Sequence, residues 1–318
     1  MKNPYMNVNR IEFLVTLLCS GRCKHCSVVS KTNKKDCRFV DPVRASETIR
    51  SLTDIFDISS LMTFGGESLI YPDITCQIHK IASQCGIAER QLITNGYFSK
   101  DPDVIRKASF SIHNSGINDV LISVDAFHQE TIPLKYVRLF AEALLQQNIQ
   151  CVQFHPAWVI NSSHQNKYNK LTQKILDSLF DLGIRVSSGN NIFPTGNAEK
   201  YLKEFYPIPN NLNLNSRCGE VLYTDRLDDV HSLSIDPNGN VDVCAFTIGN
   251  IYKENIDTII ERYDPCRNKM MKALMEGGVK KLVEYAENCG IIIDTSDCYS
   301  ACSVCRKTIA ALDRTLIS

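Results

Sequence analysis

The sequence predicts an α/β fold: an open, partial (β/α)6 barrel of the TIM-like kind over residues 1–197, then a linker and a small α+β unit with a β-hairpin over residues 198–318. Three observations carry this reading. Short β-branched and aromatic runs alternate with helix-periodic segments through the first two thirds of the chain, which builds a parallel sheet with helices outside. Six such strands fall short of the eight that close a barrel. Beyond Phe193 the alternation stops, and an Asn-Gly hairpin followed by helices replaces it.

Residues 10–17 form the first strand, which ends just before Cys19. Asp41-Pro42 opens a helix reaching about Phe56, with the aspartate as cap and the proline in the first turn. Residues 58–64 are the second strand and run into Gly65-Gly66-Glu67-Ser68. A helix from Pro72 to about Cys85 follows, then a strand over 91–94 that ends in Asn95-Gly96. Helices near 102–114, 133–147 and 166–182 alternate with strands at 120–124, 149–155 and 184–188. Chemistry in such a fold gathers at the carboxyl ends of the strands. Here those ends carry Cys19, Glu67, Asn95, Ser123 with Asp125, and His155. Residues 207–215, rich in Asn and Pro, read as a connector. The stretch 233–244 alternates on both sides of Asn238-Gly239, a strong hairpin signal. Helices are expected around 256–263 and 267–287. A cysteine group, Cys298, Cys302 and Cys305, is expected before a terminal helix.

The 35 basic and 35 acidic side chains balance, so charge gives no reason to expect nucleic acid or an anionic membrane as partner, and small or neutral substrates are favoured. Fourteen cysteines are many for a cytosolic protein unless they bind metal, and disulfides would require export. The apolar run 11–18 is too short for a lipoprotein signal, carries Glu12, and places Leu18 where a small residue should precede cleavage. No other run approaches the roughly 18 apolar residues of a membrane helix. A reduced, cytoplasmic protein is expected.

Cys19, Cys23 and Cys26 have the spacing C-x3-C-x2-C, three soft thiolate ligands on one loop, which suits an iron-sulfur cluster. A four-iron cube takes four ligands, so three cysteines leave one iron open to bind something else. A zinc loop, with His25 or Cys37 as fourth ligand, is the other reading of that spacing. One βα unit later, Gly65 and Gly66 allow close backbone approach and Glu67 supplies a carboxylate, a combination that suits a cationic ammonium group.

On these two motifs the amino-terminal two thirds resemble the radical S-adenosylmethionine (SAM) superfamily. The resemblance implies that Cys19, Cys23 and Cys26 hold a [4Fe-4S] cluster whose fourth iron takes the amino and carboxylate groups of SAM. It implies that an electron passed into the cluster cleaves SAM to methionine and a 5′-deoxyadenosyl radical, which takes a hydrogen atom from an unactivated carbon. An external donor such as flavodoxin or ferredoxin would supply that electron. His25 stands where the family usually has an aromatic residue near the adenine, and a solvent-facing loop histidine is the alternative. Ser123 and Asp125 end the fourth strand, where family members often contact the SAM ribose or the substrate. They can equally cap the following helix. Asn95 is a weaker candidate of the same kind.

The later cysteines resemble the family's twitch extension, which carries one auxiliary [4Fe-4S] cluster. Its ligands here would be Cys218, Cys244, Cys302 and Cys305, with a four-cysteine zinc site as the alternative. Four thiolates would saturate the cluster and make it an electron carrier. Cys298 is a fifth cysteine that replaces one of these or stays free. A free thiol near the substrate can donate a hydrogen atom, and Cys298, then Cys151, are the catalytic candidates for that role. Cys76 and Cys85 are expected in the core.

The leading functional expectation is a maturase acting on a ribosomally made peptide, forming a cross-link or inverting a stereocentre. Only 18 residues precede Cys19, so a leader peptide is expected to dock on the barrel or on a separate protein. A small-molecule dehydrogenase with the same cofactors is the second expectation. A non-catalytic iron-sulfur or zinc protein is the third.

Overall fold

The structure, a computed structural model, describes residues 3–28, 37–206 and 212–316. The first five residues of the expected connector therefore lie outside the described residues. In chain order the elements are β1 (Met6–Leu14), α1 (Pro42–Ile55), β2 (Ser60–Phe64), α2 (Pro72–Gln84), β3 (Glu89–Thr94), α3 (Pro102–Asn114), β4 (Asp119–Ile122), α4 (Leu134–Leu145), β5 (Cys151–Phe154) and β6 (Ala157–Val159). There follow α5 (Lys167–Asp177), β7 (Arg185–Val186), β8 (Asn190–Ile192), α6 (Asn197–Tyr201), β9 (Val230–Ile235), β10 (Asn240–Val243), β11 (Phe246–Asn250), α7 (Ile256–Arg262), α8 (Lys269–Asn288) and α9 (Ala301–Leu316).

One sheet organises the molecule, with strand order β11-β10-β9-β1-β2-β3-β4-β5-β7. It is parallel from β9 through β7, and β10 and β11 add an antiparallel edge. The wall does not close into a barrel, as the six-strand pattern predicts. Helix starts follow the expected chemistry. Asp41 caps α1 by accepting from Val43 N and Arg44 N, Asp101 caps α3, and prolines occupy the first turns. Side chains alternate across the strands. Ile11, Phe13 and Leu61 pack on one face with Ile49, Leu52 and Ile78 of the helices, and Leu92, Val120 and Ile122 pack with Ile105, Val137 and Phe140. The other face lines the barrel interior and is polar toward its amino-terminal end. There Arg10 bonds Glu12, Ser60 and Gln91, while Asp119 accepts from Gln91 and Gln153, and Arg185 donates to Gln153.

Three features depart from the expected pattern. The hairpin forms, with Val241 opposite Ile235, but its first strand lies parallel to β1, pairing Met6 with Val230 and Phe13 with Ile235. The 198–318 segment therefore shares a core with the barrel, in which Ile11 and Phe13 pack in one cluster with Ile235, Leu282 and Cys305. Two short strands, β6 and β8, form a separate parallel pair that the alternation did not announce. Finally, Cys302 and Cys305 lie inside α9 rather than before it. Ser300 initiates that helix earlier than expected, its hydroxyl accepting from Ser303 N at 3.1 Å.

Candidate functional site

The Cys19–Cys26 loop leaves the end of β1 and is held by the Gly-Gly-Glu turn at the end of β2. Gly66 N donates to Thr16 O and Glu67 N to Leu18 O, both at 2.8 Å. A Cβ on Gly66 would lie 2.1 Å from Leu18 O, and one on Gly65, whose φ is +150°, would lie 2.6 Å from Thr16 O. The close approach expected of these glycines is thus, in the first place, an approach to the cysteine loop. Glu67 is fully buried and accepts from Leu69 N at 3.0 Å, Thr94 Oγ1 at 2.6 Å and Asn95 N at 2.7 Å. Burial raises its pKa, and these three donors oppose that rise.

Asn95 reaches the same place. Its amide donates toward Cys19 Sγ at 3.7 Å and to Ser20 Oγ at 3.1 Å. Cys19 Sγ also accepts from Gly21 N at 3.3 Å. Burial, and after it the charge of Glu67, pushes the Cys19 thiol up to about 12. A buried thiol that ionises so reluctantly alone becomes a thiolate when iron takes the proton's place, and backbone and amide donors already face its sulfur. These residues fit a cluster with one open iron next to a buried carboxylate.

The β4 end supplies the third side. Ser123 is buried, and its N–H donates to Thr94 O. The Asp125 carboxylate has no exposed surface and accepts four hydrogen bonds. Phe127 N and His128 N reach Oδ1 at 2.9 and 3.0 Å, and His128 Nδ1 and Ala157 N reach Oδ2 at 2.8 and 3.0 Å. Burial works against its charge, yet the charge and hydrogen bond of His128 hold it well below the usual carboxylate range. In this structure Asp125 joins the end of β4 to β6 and orients His128.

His128 is a site residue that sequence reasoning missed. Its ring meets His25 at 5.0 Å between centroids, and ligand atoms of Cys23, His25 and His128 all lie within 4.8 Å of one another. His25 also packs against Phe127 at 5.1 Å, and burial lowers its pKa to about 4. Its Nδ1 is buried with no hydrogen-bond partner among the described residues. The only local signal for His128 is its position three residues after Asp125. Its proximity to Cys23, 105 residues away in sequence, is tertiary.

The structure also gathers Cys218, Cys244, Cys302 and Cys305. The Cys244 thiol is lowered by its neighbour Cys218 and, against burial, by the charge of Arg306. The same pairing, then burial and the charges of Cys244, Cys305 and Cys302, raise Cys218 strongly. Burial and the charge of Cys244 push Cys302 to about 11 and also raise Cys305. Cys244 sits at φ +55° in the turn between β10 and β11, and the three-residue spacing of Cys302 and Cys305 puts both on one face of α9. This donor set suits a soft-metal cluster.

Neither catalytic candidate lies at the Cys19–Cys26 loop; Cys298 shares a buried cluster with Cys305. Cys298 is buried in the core, donates toward Asp297 Oδ1 at 3.7 Å, and is pushed by burial to about 11. Cys151 opens β5 at the amino-terminal end of the barrel interior, where its sulfur accepts from Gln153 Nε2 at 3.0 Å. His155, at the other end of that strand, meets Ser187 Oγ at 2.8 Å.

An α/β wall with a three-cysteine loop and a buried carboxylate at its carboxyl end defines an iron-sulfur barrel protein. Residues 13–154 match the family described as the radical SAM superfamily. Over those residues, somewhat under half of its length, the chain carries a radical SAM domain, a family whose cofactors are a [4Fe-4S] cluster and SAM. It is 24% identical over 123 residues to a GTP 3′,8-cyclase of Moorella thermoacetica, a match spanning 39% of this chain and only 36% of that relative. Among solved structures it resembles native anSMEcpe with bound AdoMet, with a TM-score of 0.50 and 12% identity, covering 97% of this chain and 98% of the other. BtrN in complex with AdoMet and 2-DOIA gives a TM-score of 0.47 at 16% identity, with 92% of each chain covered. No helix among the described residues is long and apolar enough to cross a membrane.

Proposed function

We propose that this chain is a two-cluster radical SAM enzyme that oxidises its substrate, working in the cytoplasm with an external electron donor such as flavodoxin or ferredoxin. Cys19, Cys23 and Cys26 would hold the SAM-binding cluster, with Glu67 beside the open iron. Cys218, Cys244, Cys302 and Cys305 would hold a saturated auxiliary cluster able to accept the substrate's electron. When bound, the cluster and SAM supply hydrogen-atom abstraction. The chain's own part is to hold the cysteine loop against Gly65-Gly66-Glu67, to orient His25 and His128 around Cys23 through Asp125, and to keep water out with the buried Ser123 and Asn95.

The observation that carries the oxidative reading is where the spare thiols lie. Inversion of a stereocentre needs a hydrogen donor at the barrel mouth. Cys151 lies at the opposite end of its strand and Cys298 in the packed core, which supports electron removal over hydrogen return. A ribosomally made peptide, cross-linked on the enzyme, is the leading substrate class. Dehydrogenation of a small polar molecule is the second reading.

The test incubates the reduced, reconstituted protein with SAM and candidate peptides or polar metabolites in heavy water and reads product mass. A loss of two mass units is the expected oxidation. A gain of one, from solvent-derived hydrogen, would mean inversion and would overturn the oxidative reading.

A further inference from the structure

The short segment after β8 touches both cysteine groups. On one side, Pro194 O accepts from Ser300 Oγ at 3.2 Å and Ser303 Oγ at 3.1 Å, and the Glu199 carboxylate accepts from Ser303 Oγ as well. Ser300 and Ser303 are buried and form the first turn of α9, the same turn and the next that carry Cys302 and Cys305. On the other side, Asn197 N donates to Cys26 O at 3.0 Å and Asn197 Nδ2 to Cys23 O at 2.9 Å. Gly196 lies between these contacts at φ +61°, and a Cβ there would come within 2.7 Å of Cys26 O. Three residues separate Pro194 from Asn197, so the two sets of contacts are at most about 10 Å apart along the chain.

We infer that residues 194–199 form a strap coupling the two cysteine sites, with Asn197 as the positioning residue for the Cys19–Cys26 loop. The inference rests on the two-cluster reading above. Filling the Cys218/Cys244/Cys302/Cys305 site pins the start of α9 from its sulfur side. Ser300 and Ser303 pass that fixed position to Pro194, and Asn197 passes it to the carbonyls of Cys23 and Cys26. Those two carbonyls belong to two of the three cysteines of the SAM-binding loop, and Cys23 O already closes the loop's own turn by accepting from Cys26 N at 3.2 Å. Linkage makes the effect reciprocal, so each filled site strengthens the hold on the other.

The test measures how fast a ferrous-iron chelator withdraws iron from the SAM-binding cluster of the anaerobically reconstituted full chain. That cluster is followed through the electron paramagnetic resonance signal that changes when SAM is added. Asn197→Ala and the pair Ser300→Ala/Ser303→Ala are each expected to speed the loss about five- to tenfold, the scale of a hydrogen bond or two to a backbone carbonyl. Asn197→Asp, which keeps the side chain's shape but sets a carboxylate oxygen against Cys23 O in place of the Nδ2 donor, is expected to do the same. In each variant, retention of the auxiliary cluster's iron shows that the fold survives.

Removing the auxiliary site by Cys302→Ala/Cys305→Ala is expected to speed the loss in the otherwise native chain but to add nothing to Asn197→Ala. An unchanged rate in Asn197→Ala and Asn197→Asp would overturn the inference, as would full additivity of the two changes. A native iron content of about four instead of about eight per chain would overturn the two-cluster reading itself, while the Asn197 variants would still report on the loop.

Discussion

Gly66 has no room for a side chain, because its backbone lies against Leu18 and a Cβ would meet Leu18 O at 2.1 Å. Gly66→Ala is therefore expected to displace residues 16–18 and empty the SAM-binding site, lowering iron by about four per chain while the auxiliary cluster's iron stays. Glu67→Gln keeps the size and loses the charge. The Glu67 oxygens accept from Leu69 N, Thr94 Oγ1 and Asn95 N, so the amide leaves a buried donor unpaired, and the change is expected to loosen the turn and weaken SAM binding by about tenfold, the scale of a lost hydrogen bond to a charged group, as measured by equilibrium dialysis. The Gly-Gly-Glu stretch alone reads as a plain turn; it stands out in the sequence because it falls one βα unit after the cysteine loop. His128 was not legible, because its meaning comes from Asp125 and Ala157 holding the ring beside Cys23, and strand packing brings those residues together.

At the scale of elements, α2 is tied to β2 by a buried hydrogen bond between Thr63 Oγ1 and His79 Nε2 at 2.8 Å. Burial, and after it the charge of Arg90, lowers the His79 pKa to about 3. The unfolded chain, with histidine near 6.5, then binds more protons than the folded one between about pH 6.5 and 3. Stability is expected to be fully present above about pH 6.5 and to fall by a few kcal/mol as pH drops through that window. Thermal unfolding of the iron-free protein should show this slope, and His79→Gln should flatten it; an equal slope in both would reject the assignment.

The helices α1 to α5 and the first five strands were legible from period and, at Asp41-Pro42, from the cap. The pairing of β9 with β1 was not. An Asn-Gly turn fixes which residues face each other within a hairpin, and says nothing about which distant strand the hairpin will join. The start of α9 was missed although its cap is local, Ser300 Oγ accepting from Ser303 N, because the cysteine group was read as preceding the helix.

Over the whole molecule, one sheet carries the two cysteine groups, the first at the end of β1 and the second on β10's turn and α9, with β9 between β1 and β10. The Cys19/Cys23/Cys26 and Cys302/Cys305 spacings stand out in the sequence as short runs of soft ligands, whereas Cys218 and Cys244 join the second group only through the fold, and substrate contacts follow no such spacing. Cys302→Ala/Cys305→Ala is expected to lower iron from about eight to about four per chain while the SAM-responsive signal remains. An unchanged count would reject that ligand set. The claim that organises everything else is that the Cys19/Cys23/Cys26 site cleaves SAM. Anaerobically reconstituted protein given dithionite and SAM is expected to form 5′-deoxyadenosine, and Cys23→Ala to form none; an iron-loaded native chain that forms none would contradict the account.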